Sequence, residues 1–477
     1  MEISPKLKQH LEAGRFQASG PEVVRWDEKG RWLYDISPEN FGKELTPKQH
    51  TLLLRTYRLD SSEFPQEVIR FMPPKLLTEK ALERFDAHVP RLAEEKLEGL
   101  DAKKKYPYME RATSYWNVAH IAKTLNSGGE LSAIDPRTGT TTLYAPRRAN
   151  RPRIFNADGC KICEGDTTQV IARKKLGLDL YSFANFNLFG FLNPNSCADS
   201  TNGIRVKGVG LMVWPTTQHK DIHQLSPDEN TVSFELLSEL ERELQQTSGD
   251  SGFNKVEYPD GPRHGYVQII KNTGRAVGGS IEHGHYQLGF LNIPPKRIVD
   301  DMKFMKRRNG RSFVRSLAGE LDKNKDLEIA DYGRVISVVP PFMRRPLEVI
   351  IMPKDLSKEN LSSGEDLSKD FAKAATDVSR SLYHLMPAMG REFAFNMVFH
   401  TGPIGTMYIE VLPYTQEDGG FERAGLNVCQ SLPRESARLH RDCIEKYVRK
   451  KPASAYAITN KDMALAVEVR ESLFHTH

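Results

Sequence analysis

The period of apolar and polar positions changes along this chain, and the change divides it. Between residues 76 and 104, Leu77, Ala81, Leu82 and Phe85 recur at helical spacing with charges between them, the pattern of an amphipathic helix. Residues 1–125 are therefore expected to form a mostly helical N-terminal extension. A loop of Asn126, Ser127, Gly128 and Gly129 ends it. Beyond that loop, short β-rich runs alternate with longer helical ones. GLMVW (210–214) reads as a strand and 229–246 as a helix, followed by strands at YVQII (266–270) and HYQLGFL (285–291). The order then recurs: LEVIIM (347–352), a loop and long helix, FAFNMVFH (393–400) and MYIEVLP (407–413). Strand, helix, strand, strand written twice predicts an internal duplication, with halves at 126–325 and 326–477. Counted along the sequence, His283 and His285 in the first half are answered by Tyr408 and Glu410 in the second, so chemistry is expected in the first half alone.

Composition narrows the class. The 477 residues are 39% hydrophobic and 27% charged, and mean hydropathy is −0.51. No apolar run approaches the ~18 residues of a membrane helix, and the opening MEISPKLKQHLEAGRF lacks the apolar core of a secretory signal. A net charge of +5 suits anionic substrates and is too dispersed for a nucleic-acid partner. The basic run Lys303, Lys306, Arg307, Arg308, Arg311 reads as the solvated face of a helix. Five cysteines (Cys160, Cys163, Cys197, Cys429, Cys443) form an odd, sparse set, which points to a reducing cytoplasm and away from a disulfide framework.

Candidate chemistry concentrates in GGSIEHGHYQ, residues 278–287. In an extended segment His283, His285 and Gln287 share one face, and Gly284 lets another backbone approach from the other side. Cys160 and Cys163 in CKIC, then a histidine of QHKDIHQLSP, then His283 provide two thiolates and two imidazoles, a set suited to tetrahedral zinc with no open position. Either His219 or His223 can supply the third ligand. His285 remains as a nucleophile: a neutral imidazole can attack phosphorus and form a labile phosphoramidate. Gln287 can donate to a phosphate oxygen. Arginines 147, 148, 151 and 153 offer phosphate-binding forks, and KNTGRAVGGS (271–280) offers small residues where backbone can approach a diphosphate.

Taken in order, DPRTG, APRRANRP, CxxC, the histidine-plus-LSP segment, NTGRAVGGSIEHGHYQ and FNMVFHTGP resemble galactose-1-phosphate uridylyltransferase, a family of the histidine-triad superfamily. The resemblance covers roughly residues 130–440. It implies an α+β fold of two fused histidine-triad-like halves, with mixed, largely antiparallel sheets and outer helices. It also implies ping-pong transfer of a nucleoside monophosphate, uridylyl in this family, from a nucleotide sugar to a sugar 1-phosphate. On this resemblance His285 is the nucleophile and Gln287 its phosphate-binding partner. Arg148, Arg151, Asn187, Asn272, Gly278, Gly279 and Ser280 match substrate-binding positions, and Cys160, Cys163, His219 and His283 match a structural zinc set. Mg²⁺ would arrive with the substrate phosphates, and family members often dimerise. Gly284 stands where the family usually has proline. Tyr408 and Glu410 replace histidines that form another metal site in some members, so no second site is expected. Two rivals remain: a phosphorylase that uses inorganic phosphate as acceptor on a nucleotide sugar or dinucleoside polyphosphate, and a non-catalytic, zinc-stabilised binding module.

Overall fold

A computed structural model describes residues 208–246 and, with short interruptions, 256–452, with smaller stretches at 33–35, 68–70, 131–134, 140–144, 160, 162–163, 170–175, 181–187, 456 and 463–474. The helix expected over 76–104 and the loop at 126–129 lie outside the described residues. Within the N-terminal 125 residues the described part is a short antiparallel pair, Leu33–Asp35 with Val68–Arg70.

The centre is one ten-stranded sheet. The first half contributes β1 (Val170–Lys175), β2 (Tyr181–Phe186), β3 (Gly208–Trp214), β4 (Tyr266–Thr273) and β5 (Tyr286–Leu291). The second contributes β6 (Glu328–Asp331), β7 (Val335–Val338), β8 (Val349–Pro353), β9 (Phe395–His400) and β10 (Tyr408–Pro413). Read inward from its two edges the sheet runs β1-β2-β3-β5-β4 and β6-β7-β8-β10-β9. The same spatial order in both halves gives the duplication a topological form. The halves join where β4 pairs with β9. Every ladder among the described residues is antiparallel, so the mixed component expected of the sheet does not appear there.

A long helix follows the third strand of each half: α1 (Pro227–Gln246) and, after α2 (Lys296–Arg307) and α3 (Phe313–Leu321), α4 (Leu367–Ala388). The LSPDE segment explains where α1 starts. Ser226 Oγ accepts from the Glu229 amide at 3.2 Å while Glu229 Oε2 accepts from the Ser226 amide at 2.7 Å. That reciprocal box satisfies two amide donors at the helix start, and Pro227 suits the first turn. Alternation then sorts the sheet's faces. Leu211, Val213, Ile269, Tyr286 and Leu288 join Phe234, Leu237 and Leu240 of α1 and much of α4 in the main core. Met212 and Trp214 point the other way, with Phe183 and Ile162. Phe234, Tyr286 and Phe399 meet at centroid distances of 5.7–6.1 Å, so one aromatic cluster ties α1 to strands of both halves. Burying each such ring contributes about 1.5–3 kcal/mol.

The ladder corrects the expected correspondence between the halves. Tyr286 faces Val213, and Ile409 faces Ile351. The amide of Gly284 donates to the Lys220 carbonyl at 3.1 Å, as that of Met407 does to Lys358 at 2.8 Å. His285 therefore corresponds to Tyr408 and Gln287 to Glu410, one step away from the pairing counted along the sequence. Those second-half residues are tied into ion pairs. His400 stacks on Tyr408 at 4.1 Å and bonds Glu410 at 2.9 Å, while Arg344 and Arg297 hold the Glu410 carboxylate at 3.0 and 3.3 Å.

The second half also sets a pH response. His440, on α5 (Pro433–Cys443), is fully buried, and that burial pushes its pKa from 6.5 to about 4. Unfolded, it binds a proton near 6.5; folded, only near 4. The unfolded chain therefore takes up more protons as pH falls through this window, and stability drops. Between pH 7 and pH 5 this residue alone is expected to cost ~2 kcal/mol. Urea titrations at the two pH values measure the loss, and His440→Asn should reduce it by about that amount, leaving the share of the other buried histidines.

Candidate active site and metal centre

The site lies on the sheet face opposite α1 and α4, where β5 enters the sheet. Glu282 and His283 form a bend, and Gly284 and His285 lead from it into the strand, so only Gln287 of the expected extended run stands within β5. His285 is 2% exposed. Its Nδ1 lies 2.9 Å from the carbonyl of His283. A carbonyl only accepts, so Nδ1 carries the proton and Nε2 keeps its lone pair. No protein partner engages Nε2 among the described residues. Burial lowers the pKa of this ring to about 4, leaving it neutral at physiological pH. Trp214 flanks it at 5.1 Å between ring centroids and is itself fixed by Nε1 donation to Asn185 Oδ1 at 3.1 Å.

Gly284 has a close-approach role. A Cβ there would stand 2.5 Å from Asp221 Oδ1 and 2.7 Å from the Lys220 carbonyl. Proline would add that clash and also remove the amide bonded to Lys220. Its absence here follows from the path of residues 220–221. Beneath the bend lies a buried ion pair, Lys271 with Asp221. Thr273 Oγ1 donates to the same carboxylate at 3.0 Å. Burial would raise the Asp221 pKa, but the Lys271 charge prevails and holds it at about 2. Lys271 Nζ also reaches the His285 carbonyl at 3.5 Å. Sequence reasoning missed this pair. The available signal was a lysine at a core-facing position of YVQIIKNT, where a charge requires a partner.

The expected metal set comes together. Ligand atoms of Cys160, Cys163, His219 and His283 all lie within 4.8 Å of one another, and both thiols stand 3.4 Å from His283 Nδ1. Ligands of a tetrahedral zinc, at ~2.3 Å for sulfur and ~2.0–2.1 Å for nitrogen, stand about 3.5 Å apart, so the group fits that ion. Nε2 of His283 lies 3.0 Å from the Thr216 carbonyl; donating there, the ring leaves Nδ1 free as a ligand, the usual outer-shell arrangement for a metal-binding histidine. Hydrogen bonding from Cys163 keeps the Cys160 thiol far below its ordinary pKa despite partial burial. His223 stands apart: its ring stacks on Tyr383 at 5.0 Å and abuts Phe393 at 4.8 Å. Of the two candidate histidines, His219 is the one that joins the cluster.

The remaining candidates surround His285. Gln287 and Asn272 are on neighbouring strands, Gln287 paired with Met212 and Ile270, and Asn272 two residues further along β4 on the same face. Asn187 continues β2 through an amide bond to the Gly210 carbonyl at 2.9 Å. Gly210 pairs with Gly289, so next to Gln287 the open face carries no side chain on two adjacent strands. Gly278, with φ +86°, has nothing within 4 Å of an added Cβ, whereas one on Gly279 would meet the Gly274 carbonyl at 2.5 Å. Ser280 is 7% exposed, and its Oγ has no partner among the described residues. Arg148 and Arg151 lie outside the described residues.

No family model matches the chain. It is 21% identical over 349 residues to ADP-glucose phosphorylase of Arabidopsis thaliana, covering 65% of this chain and 91% of that protein. It is 28% identical over 142 residues to galactose-1-phosphate uridylyltransferase of Thermotoga maritima, covering 29% of this chain and 43% of that enzyme. The chain thus spans less than half of that uridylyltransferase and most of the phosphorylase. A solved uridylyltransferase structure matches 66% of the chain and 99% of its own length, with TM-score 0.53 and 20% identity, and so shares the fold.

Proposed function

We propose that this chain, whose homologues are galactose-1-phosphate uridylyltransferases and an ADP-glucose phosphorylase, is a nucleotidyltransferase that works through a covalent nucleotidyl-histidine at His285. The observation that carries this reading is the state of that ring. It is buried, neutral, fixed through Nδ1 and unengaged at Nε2. In the first step Nε2 attacks the phosphorus that carries the nucleoside. The N–P bond forms as the P–O bond to sugar 1-phosphate breaks, and the sugar phosphate leaves as an anion. In the second step a phosphate oxygen of the incoming sugar 1-phosphate attacks the same phosphorus, and the N–P bond breaks. The ring regains its starting state and no net proton is consumed.

Gln287, Ser280 and Asn272 act as donors to the phosphate oxygens. A buried hydroxyl with no protein partner, as at Ser280, carries an energetic cost that a ligand would relieve. Gly278 and Gly279 let backbone approach the diphosphate, and Arg148 and Arg151 supply charge. Asn187, beside the bare strip at Gly210 and Gly289, suits contact with the nucleoside. Cys160, Cys163, His219 and His283 would hold zinc, which would supply a rigid cross-link fixing the bend from which His285 projects, and so orientation rather than chemistry. Mg²⁺ would enter only as a counter-ion of the substrate.

A phosphorylase is the second reading, favoured by the longer alignment with ADP-glucose phosphorylase. Incubation with UDP-glucose or ADP-glucose and labelled acceptor separates the two. The transferase reading predicts label from galactose 1-phosphate in nucleotide sugar, with ping-pong kinetics. Preference for labelled inorganic phosphate, yielding a nucleoside diphosphate, selects the phosphorylase. Incorporation from neither acceptor removes both.

A further inference from the structure

The second half carries Tyr408, not an imidazole, at the position of His285, yet one of its side chains reaches into the first half's site. Asn396, half-buried on β9, donates through Nδ2 to Asn272 Oδ1 at 2.7 Å and to the Val277 carbonyl at 3.1 Å. The second contact fixes the first. A backbone carbonyl can only accept, so the amide nitrogen of Asn396 must point toward Val277. Its other hydrogen is then aimed at Asn272, which must answer with oxygen. That orientation turns the Asn272 NH₂ away from Asn396. Val277 directly precedes Gly278, Gly279 and Ser280. The same segment is seated on the second half at Gly274, where a Cβ would stand 2.6 Å from Ala394 Cβ and 2.8 Å from the Phe393 carbonyl. The loop thus has little room to shift on its support.

We infer that Asn396 is a positioning residue: it locks the Asn272 amide with its NH₂ toward the substrate's phosphate and clamps the glycine-rich loop, so the second half completes the first half's site. This rests on the nucleotidyltransferase reading above. It explains why a half without a nucleophile stays joined to the active one through the β4–β9 ladder. An amide held in advance loses no orientational freedom when the phosphate arrives, whereas a free one must be ordered at each binding event.

The test uses the full chain and the rate of His285 nucleotidylation, followed by mass spectrometry with UDP-glucose and with ADP-glucose at varied concentration. Asn396→Ala is expected to raise the half-saturating donor concentration by about tenfold, the scale of one hydrogen bond to a charged group, with an unchanged melting temperature. Asn396→Asp keeps the shape but sets an oxygen against the Val277 carbonyl and turns the Asn272 amide around. It should lose at least about tenfold more than Asn396→Ala. If Asn396 acts through Asn272, the double variant Asn272→Ala/Asn396→Ala falls within about threefold of Asn272→Ala alone. Additive losses, equal effects of Asn396→Asp and Asn396→Ala, or full donor affinity in Asn396→Ala each overturn the inference while leaving the nucleophile standing. Absence of the adduct from the unaltered protein removes the reading and this inference together.

Discussion

His285→Ala should lower turnover by about 10³-fold or more while the protein folds normally and retains zinc. The magnitude follows from what is lost. His223, another buried and neutral imidazole, is packed against Tyr383 and Phe393 and stands apart from the metal cluster, and without a covalent intermediate donor and acceptor must react directly. A loss of 10³ corresponds to ~4 kcal/mol of transition-state stabilisation. The variant should leave the metal cluster intact, because His283 keeps its own carbonyl partner at Thr216. Steady-state rates beside zinc content and a melting curve check this. Near-normal turnover in a folded, zinc-bearing variant would remove His285 from the mechanism. His285→Gln offers a second check: it keeps a polar group of similar reach but no ring nitrogen, and it should be equally inactive.

Cys160→Ser carries the second large effect. The unaltered chain should hold about one zinc, and the variant substantially less, with a melting temperature lower by several degrees. A hydroxyl is a far poorer zinc ligand than the thiolate favoured at this position. A zinc ion held there would link CKIC to the bend at His283, so its loss would also loosen the support of His285. The predicted pattern is graded: zinc content and stability fall first, and the nucleotidylation rate falls with them, since the ion acts through position. Cys429→Ser is the control, because Cys429 stands outside the cluster and should leave zinc content unchanged. Elemental analysis with thermal denaturation decides the matter. A metal-free, stable and active protein would separate the cysteines from the site.

Much of this was legible in the sequence, and the exceptions have physical reasons. Strand and helix order could be read because alternation in GLMVW and YVQII reflects a sheet buried on one face. The register between the halves could not be read. The segment joining β4 to β5 contains the glycine-rich loop and is longer than the one joining β9 to β10. Counting along the chain therefore matched His283 to Tyr408, whereas hydrogen bonds match His285 to it. Gly284 was readable as a place of close approach, but not what approaches: Asp221 is distant in sequence and reaches the bend through its pairing with Lys271. The choice between His219 and His223 needed tertiary structure for the same reason. Both sit in one short polar segment, and only packing turns His223 toward Tyr383 and Phe393. Asn396 gave no sequence signal, since an asparagine in a strand has no distinctive spacing partner.

The covalent step is the central claim, and peptide mass spectrometry after mixing the protein with a nucleotide sugar and quenching under alkaline conditions tests it most directly. A nucleoside monophosphate on the peptide that contains residues 278–291, localised to His285, is the result the account predicts. Sustained turnover with that peptide unmodified, or with the nucleotide carried on another residue, would contradict it.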